Sequence, residues 1–150
     1  MKRLLLAPLL ISVSFLNMGF MGKPKLEALY CSGDKYLNIS KDEMWKNYPW
    51  IFDNKTGNLY NYDPFLNQID PLKTDKIGDE LFTYDSRLDG NILKIREVQT
   101  SSGYVIEERR YAIDIKARKS THYAMEYLEK KSQDSCIKLN LPKGVKINYK

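Results

Sequence analysis

Residues 91–116 read NILKIREVQTSSGYVIEERRYAIDIK, and their pattern indicates a β fold. Apolar side chains recur at alternate positions in its two halves, which is the period of a half-buried β-strand. These positions are Leu93, Ile95, Tyr104, Ile106, Tyr111, Ile113 and Ile115. Between the two runs, residues 100–103 are small and turn-forming, and Gly103 stands where a positive φ is needed. We predict a hairpin with strands over 91–99 and 104–116.

A second hairpin is predicted upstream of this stretch. Apolar residues at 50–52 precede a segment rich in Asp, Asn and Gly at 53–58, and Leu59, Tyr60 and Tyr62 follow it. Asx and glycine residues favour tight turns, because they tolerate backbone conformations that other residues avoid.

One short helix is an option before the second hairpin. Ser40 followed by Glu43 forms the capping-box pattern, in which each side chain bonds the backbone of the other residue. The pattern predicts one or two helical turns over 41–48, ended by Pro49.

The remaining segments complete a mainly β chain. Asp-Pro steps at 63–64 and 70–71 predict a long surface loop over 61–77. Residues 121–131 contain good helix formers, yet their alternation favours a strand, and helix stays the alternative. Final strands are expected at 136–141 and 145–149. About seven or eight short strands predict a single antiparallel barrel or sandwich, with an N-terminal signal helix.

The first 28 residues have the pattern of an export signal. Two basic residues open the chain, an uncharged apolar run follows over 4–16, and Ala28 offers a cleavage point. We therefore expect a signal peptide over 1–28 and a single exported β domain over 29–150, located in the periplasm or secreted. The alternative is a membrane-anchored protein with an uncleaved signal segment, since the uncharged run continues almost to the length of a membrane span.

The charge of the chain argues for no particular partner once the leader is set aside. The whole chain carries +5, but the leader holds four basic residues and one acidic residue, which leaves 20 basic and 18 acidic residues and a net charge of +2. A basic nucleic-acid surface is therefore not expected, and the membrane is expected to be involved only through the signal segment.

The two cysteines, Cys31 and Cys136, both lie beyond the expected cut. An exported chain meets an oxidising compartment, in which a lasting disulfide forms. A bond between these residues would close a loop of about a hundred residues and stabilise the fold by about 4 to 5 kcal/mol in the chain-entropy model.

The residue inventory excludes most catalytic constellations. The chain has one histidine, His122, so a histidine-rich zinc site cannot form within it, and it has no GxSxG or phosphate-binding glycine motif. We expect no catalytic residues, no metal and no cofactor. Paired carboxylates are the one enzymatic route left open, as in glycoside hydrolysis. The candidates near predicted strand ends are Asp75, Asp79, Glu80, Asp85 and Asp89.

Aromatic side chains provide the strongest indication of binding. Tyr and Trp combine an apolar face with a polar tip, which suits a saccharide, a peptide or an amphipathic ligand. The candidate ligand-binding residues are Trp45, Tyr48, Trp50, Tyr60 and Tyr62. The alternative is that they fill the core and form cross-strand pairs, as aromatics in β domains often do.

Two resemblances rest on short patterns. The first is carried by Trp50, Phe52, Asp53, Leu59, Tyr60, Tyr62 and Asp63, and by the later Ser135 and Cys136. With these residues the chain resembles small exported bacterial proteins of cyanobacterial type that have no assigned activity, which implies a β domain with a terminal disulfide. The second is carried by Tyr30, Cys31 and the turn 101–104, with which the chain resembles the periplasmic inhibitors of C-type lysozyme. This resemblance implies an inhibitory loop around Ser102, and the alternative is that the turn only joins the two strands of a hairpin.

Three functions follow from these patterns. The leading hypothesis is a non-enzymatic binding module for an unknown small ligand or protein partner. The alternative is a periplasmic inhibitor that inserts the loop 100–103 into an enzyme, and the second alternative is a carboxylate-dependent hydrolase. A cavity lined by Tyr and Trp would favour the first, a protruding rigid loop the second, and two acids facing each other in a cleft the third.

Overall fold

The computed structural model describes residues 22–124 and 127–149, which form one sheet of eleven strands. The strands are β1 (Leu26–Ser32), β2 (Trp50–Asp53), β3 (Leu59–Asp63), β4 (Gln68–Pro71), β5 (Thr74–Ile77), β6 (Glu80–Asp89), β7 (Ile92–Ser101), β8 (Tyr104–Asp114), β9 (Lys119–Ala124), β10 (Tyr127–Leu139) and β11 (Lys146–Ile147). Their order is β11-β4-β3-β2-β1-β10-β9-β8-β7-β6-β5, and among these ladders β11 with β4 is parallel. One α-helix, α1 (Lys41–Lys46), and a 3-10 turn (Asp34–Tyr36) lie between β1 and β2.

The mainly β class is confirmed, whereas the closed barrel is wrong, because the sheet is open between β11 and β5. The expected count of seven or eight strands is also too low for the described residues. The predicted signal helix lies outside the described residues. Among the described residues, helices have neither the length nor the hydrophobicity of a membrane-spanning segment.

The segment 61–77, predicted as a surface loop, contains two strands. Pro71 continues the ladder opposite Tyr60, where it can accept but not donate a hydrogen bond. Beyond it, the Leu72 amide donates to the carbonyl of Leu59, and the Tyr84 amide donates to the carbonyl of Lys73, both at 2.9 Å. The chain therefore leaves the β3 ladder and joins the β6 ladder within two residues.

Two apolar clusters lie on opposite faces of β1–β3. The first lies beneath α1 and the C-terminal segment, and its buried members are Ala28, Tyr30, Met44, Ile51, Tyr60, Ile69 and Leu139. The second contains Leu29, Phe52, Leu59, Leu93, Ile95, Ile113 and Cys136. Because the second cluster joins β1–β3 with β7 and β8, the sheet curls until these strands face each other across a core.

Both predicted hairpins are confirmed. β7 and β8 pair from Ile92 with Asp114 to Ser101 with Tyr104, across a two-residue turn. Ser102 and Gly103 both have positive φ, 51° and 81°, which is the type I′ geometry that matches the twist of the strands. β2 and β3 pair on either side of the 53–58 turn.

The capping box is confirmed at the start of α1. The Ser40 hydroxyl accepts from the Glu43 amide at 3.2 Å, and the Glu43 carboxylate accepts from the Ser40 amide at 3.0 Å. The helix ends at Lys46, two residues earlier than predicted, because the chain turns through Tyr48 with a φ of 52°.

The ambiguous segment 121–131 is extended wherever it is described. Residues 121–124 belong to β9 and residues 127–131 to β10, so the strand prediction is confirmed there and the helix alternative is wrong. Local helix propensity is overridden because both strands gain ladder partners on each side.

The predicted disulfide is present. Cys31 on β1 lies directly opposite Cys136 on β10, with Cα atoms 4.0 Å apart and the two sulfur atoms bonded. The bond joins the first strand to the long strand near the end of the chain. β1 begins at Leu26, so residues 26–28, which the sequence assigns to the leader, take part in the sheet.

Candidate ligand-binding cleft

The five aromatic candidates divide between the two faces of the sheet. Trp45 on α1 contacts Tyr62 on β3 in an edge-to-face arrangement, with ring centroids 5.1 Å apart. Trp50 lies on the other face and contacts Tyr111 on β8, with centroids 4.9 Å apart. These contacts show that part of the set serves packing, as the core alternative predicted.

Three of the five nevertheless line one cleft. Tyr48, Trp50 and Tyr60 border a hollow of about 280 Å³ between β2–β3 and β5–β7. The other lining residues are Pro49, Asn61, Leu72, Asp75, Ile77, Tyr84 and Glu97. We call this hollow the aromatic cleft. It combines aromatic walls with a small number of polar groups, the composition typical of small-molecule sites.

A smaller hollow of about 120 Å³ lies beside the aromatic cleft and contains the other two candidates, Trp45 and Tyr62. The two hollows share Tyr48, Pro49 and Asn61. Tyr48 is 83% exposed and is therefore accessible to a ligand in either hollow. The fold thus brings all five predicted residues to two neighbouring hollows.

A buried carboxylate defines the polar side of the aromatic cleft. Glu97 on β7 is only 8% exposed, and Arg109 on β8 donates to its Oε1 at 3.2 Å. Burial raises the pKa of Glu97, although the charge of Arg109 opposes this effect. The Glu97 carboxyl group can accept a hydrogen bond when it is charged and donate one when it is protonated.

Tyrosine hydroxyls next to Glu97 stay neutral over the ordinary pH range. Burial, followed by the charge of Glu97, raises the pKa of Tyr84, and the same two causes raise the pKa of Tyr111 to about 12. Tyr111 also stacks on His122, with centroids 4.8 Å apart and planes inclined by 10°. His122 is thus a half-buried member of β9 that packs against an aromatic ring.

Of the acids singled out in the sequence, only Asp75 lines the aromatic cleft. Glu80 accepts a hydrogen bond from the side-chain amide of Gln99, Asp85 contacts Arg96 at 3.5 Å, and Asp89 pairs with Lys94. Glu97 was not predicted as a site residue, although the strand alternation that turns Leu93 and Ile95 inward also turns Glu97 inward. A charged residue at an inward-facing position of a strand is unusual, and this could have indicated it.

Within residues 22–124 and 127–149 no group of three or more His, Cys, Asp or Glu side chains is placed to hold a metal ion. Comparisons with protein-family models, with curated proteins and with solved structures found no match to this chain. The resemblances noted in the sequence therefore remain predictions.

Proposed function

We propose that this protein is an exported, disulfide-bonded, non-enzymatic binding module that holds a small saccharide or amphipathic ligand in the aromatic cleft. The observation that supports this proposal most strongly is that Tyr48, Trp50, Tyr60 and Tyr84 border one hollow together with Asp75 and Glu97. Aromatic faces stack on apolar parts of a ligand, and the carboxylates accept from its hydroxyl or ammonium groups.

Export is supported by the bond between Cys31 and Cys136. Lasting disulfides are rare in reducing compartments and common in the periplasm and outside the cell. The apolar pattern of residues 1–28 is a second, separate feature of the sequence that supports export.

The intrinsic fluorescence of the two tryptophans, Trp45 and Trp50, tests the aromatic cleft. The protein is titrated with a panel of saccharides and of cationic and neutral amphiphiles. We expect a saturable change in emission in the wild type and in Trp45→Phe, and its loss in Trp50→Phe. Tyr48→Ala should weaken binding without changing the melting temperature, because the side chain is largely exposed. An unchanged titration in Trp50→Phe and Tyr48→Ala would contradict the assignment.

A second candidate function, an inhibitor of an envelope-acting enzyme, is favoured by the tip of the β7–β8 hairpin. Tyr104, Val105 and Ile106 are 78%, 60% and 55% exposed directly after the type I′ turn. A rigid turn with exposed apolar side chains can enter an enzyme cleft at small entropic cost. Inhibition of a C-type lysozyme by the wild type, and its loss in Tyr104→Ala but not in Tyr48→Ala, would establish this function.

The hydrolase alternative is favoured by the presence of Asp75 and Glu97 in one cleft. Two carboxylates on either side of a sugar suffice for glycoside hydrolysis. If the wild type released reducing sugar and Glu97→Gln did not, the protein would be a hydrolase rather than a binding module.

A further inference from the structure

A third hollow lies on the opposite face of β6–β9, away from the aromatic cleft. It has a volume of about 480 Å³, and its lining includes Ala112, Tyr123 and the cations Arg87, Lys94, Arg96 and Arg110. We call it the arginine groove. Ala112 is paired with Lys94 on β7 and Thr121 on β9, so a small side chain lies between longer ones and creates the depression.

A single buried carboxylate holds two of the guanidinium groups. Arg96 Nη2 donates to Oε2 of Glu108 and Arg110 Nε donates to Oε1, both at 2.9 Å. The Glu108 side chain is 5% exposed, whereas those of Arg96 and Arg110 are 49% and 63% exposed. One negative charge therefore orients two positive groups whose outer N–H donors face solvent.

The other two cations leave the groove positively charged. Among the described residues Arg87 forms no ion pair, and Lys94 pairs only with Asp89 at the end of the β6–β7 hairpin. Asp85 also lines the groove, and its carboxylate contacts Arg96 at the longer distance of 3.5 Å. The four cations thus exceed the three carboxylates next to them, so the unmatched charge favours an anionic ligand.

We propose that the arginine groove binds a phosphate ester, with the phosphoryl oxygens accepting from Arg96 and Arg110 and the organic part lying against Tyr123. Guanidinium groups present parallel N–H donors that match phosphate oxygens. Glu108, which both arginines share, holds two guanidinium groups in position before a ligand binds. An aromatic wall gives the organic part an apolar contact that inorganic phosphate does not use.

Calorimetric titration with phenyl phosphate and with inorganic phosphate tests the site. We expect saturable binding of phenyl phosphate, and affinity weakened by about tenfold or more in Arg96→Gln and in Arg110→Gln, since each removes charge-assisted hydrogen bonds. The matched control is Lys143→Gln, which removes one exposed positive charge outside the groove. Each variant is first shown to keep the wild-type melting temperature within a few degrees.

The phosphate group could belong to a lipid headgroup or to a soluble ester. A second experiment, with vesicles of phosphatidylglycerol or of phosphatidylcholine, distinguishes these two sources. Sedimentation with phosphatidylglycerol vesicles that is lost in Arg110→Gln identifies a lipid headgroup, and binding of phenyl phosphate alone identifies a soluble ester. Absence of binding in both experiments overturns the proposal. Equal weakening in Lys143→Gln also overturns it, because general attraction by positive charge would then explain the result.

Discussion

Gly57, in the turn between β2 and β3, lies against the backbone of Leu88 on β6: a Cβ added to Gly57 would stand 2.6 Å from the Leu88 nitrogen. In the order of the sheet these elements are far apart. The contact therefore exists because the open sheet curls and brings the β2–β3 hairpin onto β6.

Replacing Gly57 by alanine is expected to destabilise the protein strongly. The φ of +79° costs a non-glycine residue about 1 to 2 kcal/mol, and the clash with backbone atoms costs about 1 to 3 kcal/mol more. Gly90 is the matched control, because its φ is +60° and nothing lies within 4 Å of its added Cβ. Urea unfolding of both variants measures the difference, and equal losses would show that the hairpin does not contact β6.

Removing the disulfide should lower stability by about 4 to 5 kcal/mol in the chain-entropy model, because Cys31 and Cys136 are 105 residues apart. The double variant Cys31→Ser with Cys136→Ser leaves no unpaired thiol and is compared with the wild type by thermal unfolding. Reduction of the wild type with dithiothreitol should reproduce the fall in melting temperature. If neither treatment lowers it, the bond contributes nothing to stability.

Residues before Leu29 are expected to contribute to the folded domain. Ala28 is fully buried, and Glu27 pairs with Lys138 at 2.9 Å. A protein that begins at Lys23 should therefore be more stable by about 1 to 3 kcal/mol than one that begins at Leu29, because the shorter form loses ladder hydrogen bonds and buried surface. Denaturant unfolding compares the two forms, and equal midpoints would contradict the role of residues 26–28. The mass of the exported protein tests the predicted cleavage after Ala28.

Glu97→Gln should raise stability at neutral pH. Because burial raises the pKa of Glu97 above its ordinary value of 4.5, the folded state binds a proton more tightly than the unfolded state. The free energy of unfolding therefore falls as the pH rises through the pKa that Glu97 has in the folded state. Glutamine carries no charge at any pH, so the variant does not lose this free energy. Melting temperatures between pH 3 and pH 8 should show a difference that grows with pH. If the variant is less stable than the wild type at pH 7, the ion pair between Glu97 and Arg109 stabilises the fold by more than burial of the Glu97 charge destabilises it.

Glu108→Gln should have the opposite effect. The hydrogen bond from Arg96, followed by that from Arg110, lowers the pKa of Glu108 from 4.5 to about 2. Its contribution to stability is therefore present above pH 4.5 and is lost as the pH falls to about 2. The variant should unfold at a lower temperature than the wild type at pH 7 and approach it in acid. A pH-independent difference would show that shape, rather than charge, is what Glu108 contributes.

Local features of this protein were predictable because neighbouring residues produce them. Ser102 and Gly103 select a turn, and Ser40 with Glu43 selects a helix start, whatever the rest of the chain does. Segments that depend on distant partners were not predictable in the same way. Residues 74–77 form a strand because β6 offers them a ladder, and no local pattern indicates that partner.

In the candidate site, too, some residues could be predicted from local sequence and others could not. The sequence indicated Tyr48, Trp50 and Tyr60 by their chemistry, but Tyr84 and Glu97 join them only in the folded chain. Side chains from β2, β3, β6 and β7 meet there because the sheet curls, and the amount of curl is a property of all strands together.

Strand periodicity, turn residues and the presence of two cysteines were sufficient to specify a disulfide-bonded β domain, since each acts over a few residues or through a covalent bond. The open edge of the sheet, the contact between Gly57 and Leu88 and the three hollows depended on long-range packing. Long-range packing depends on how all the apolar surfaces of the chain fit together, and local sequence patterns do not specify which of these surfaces come into contact.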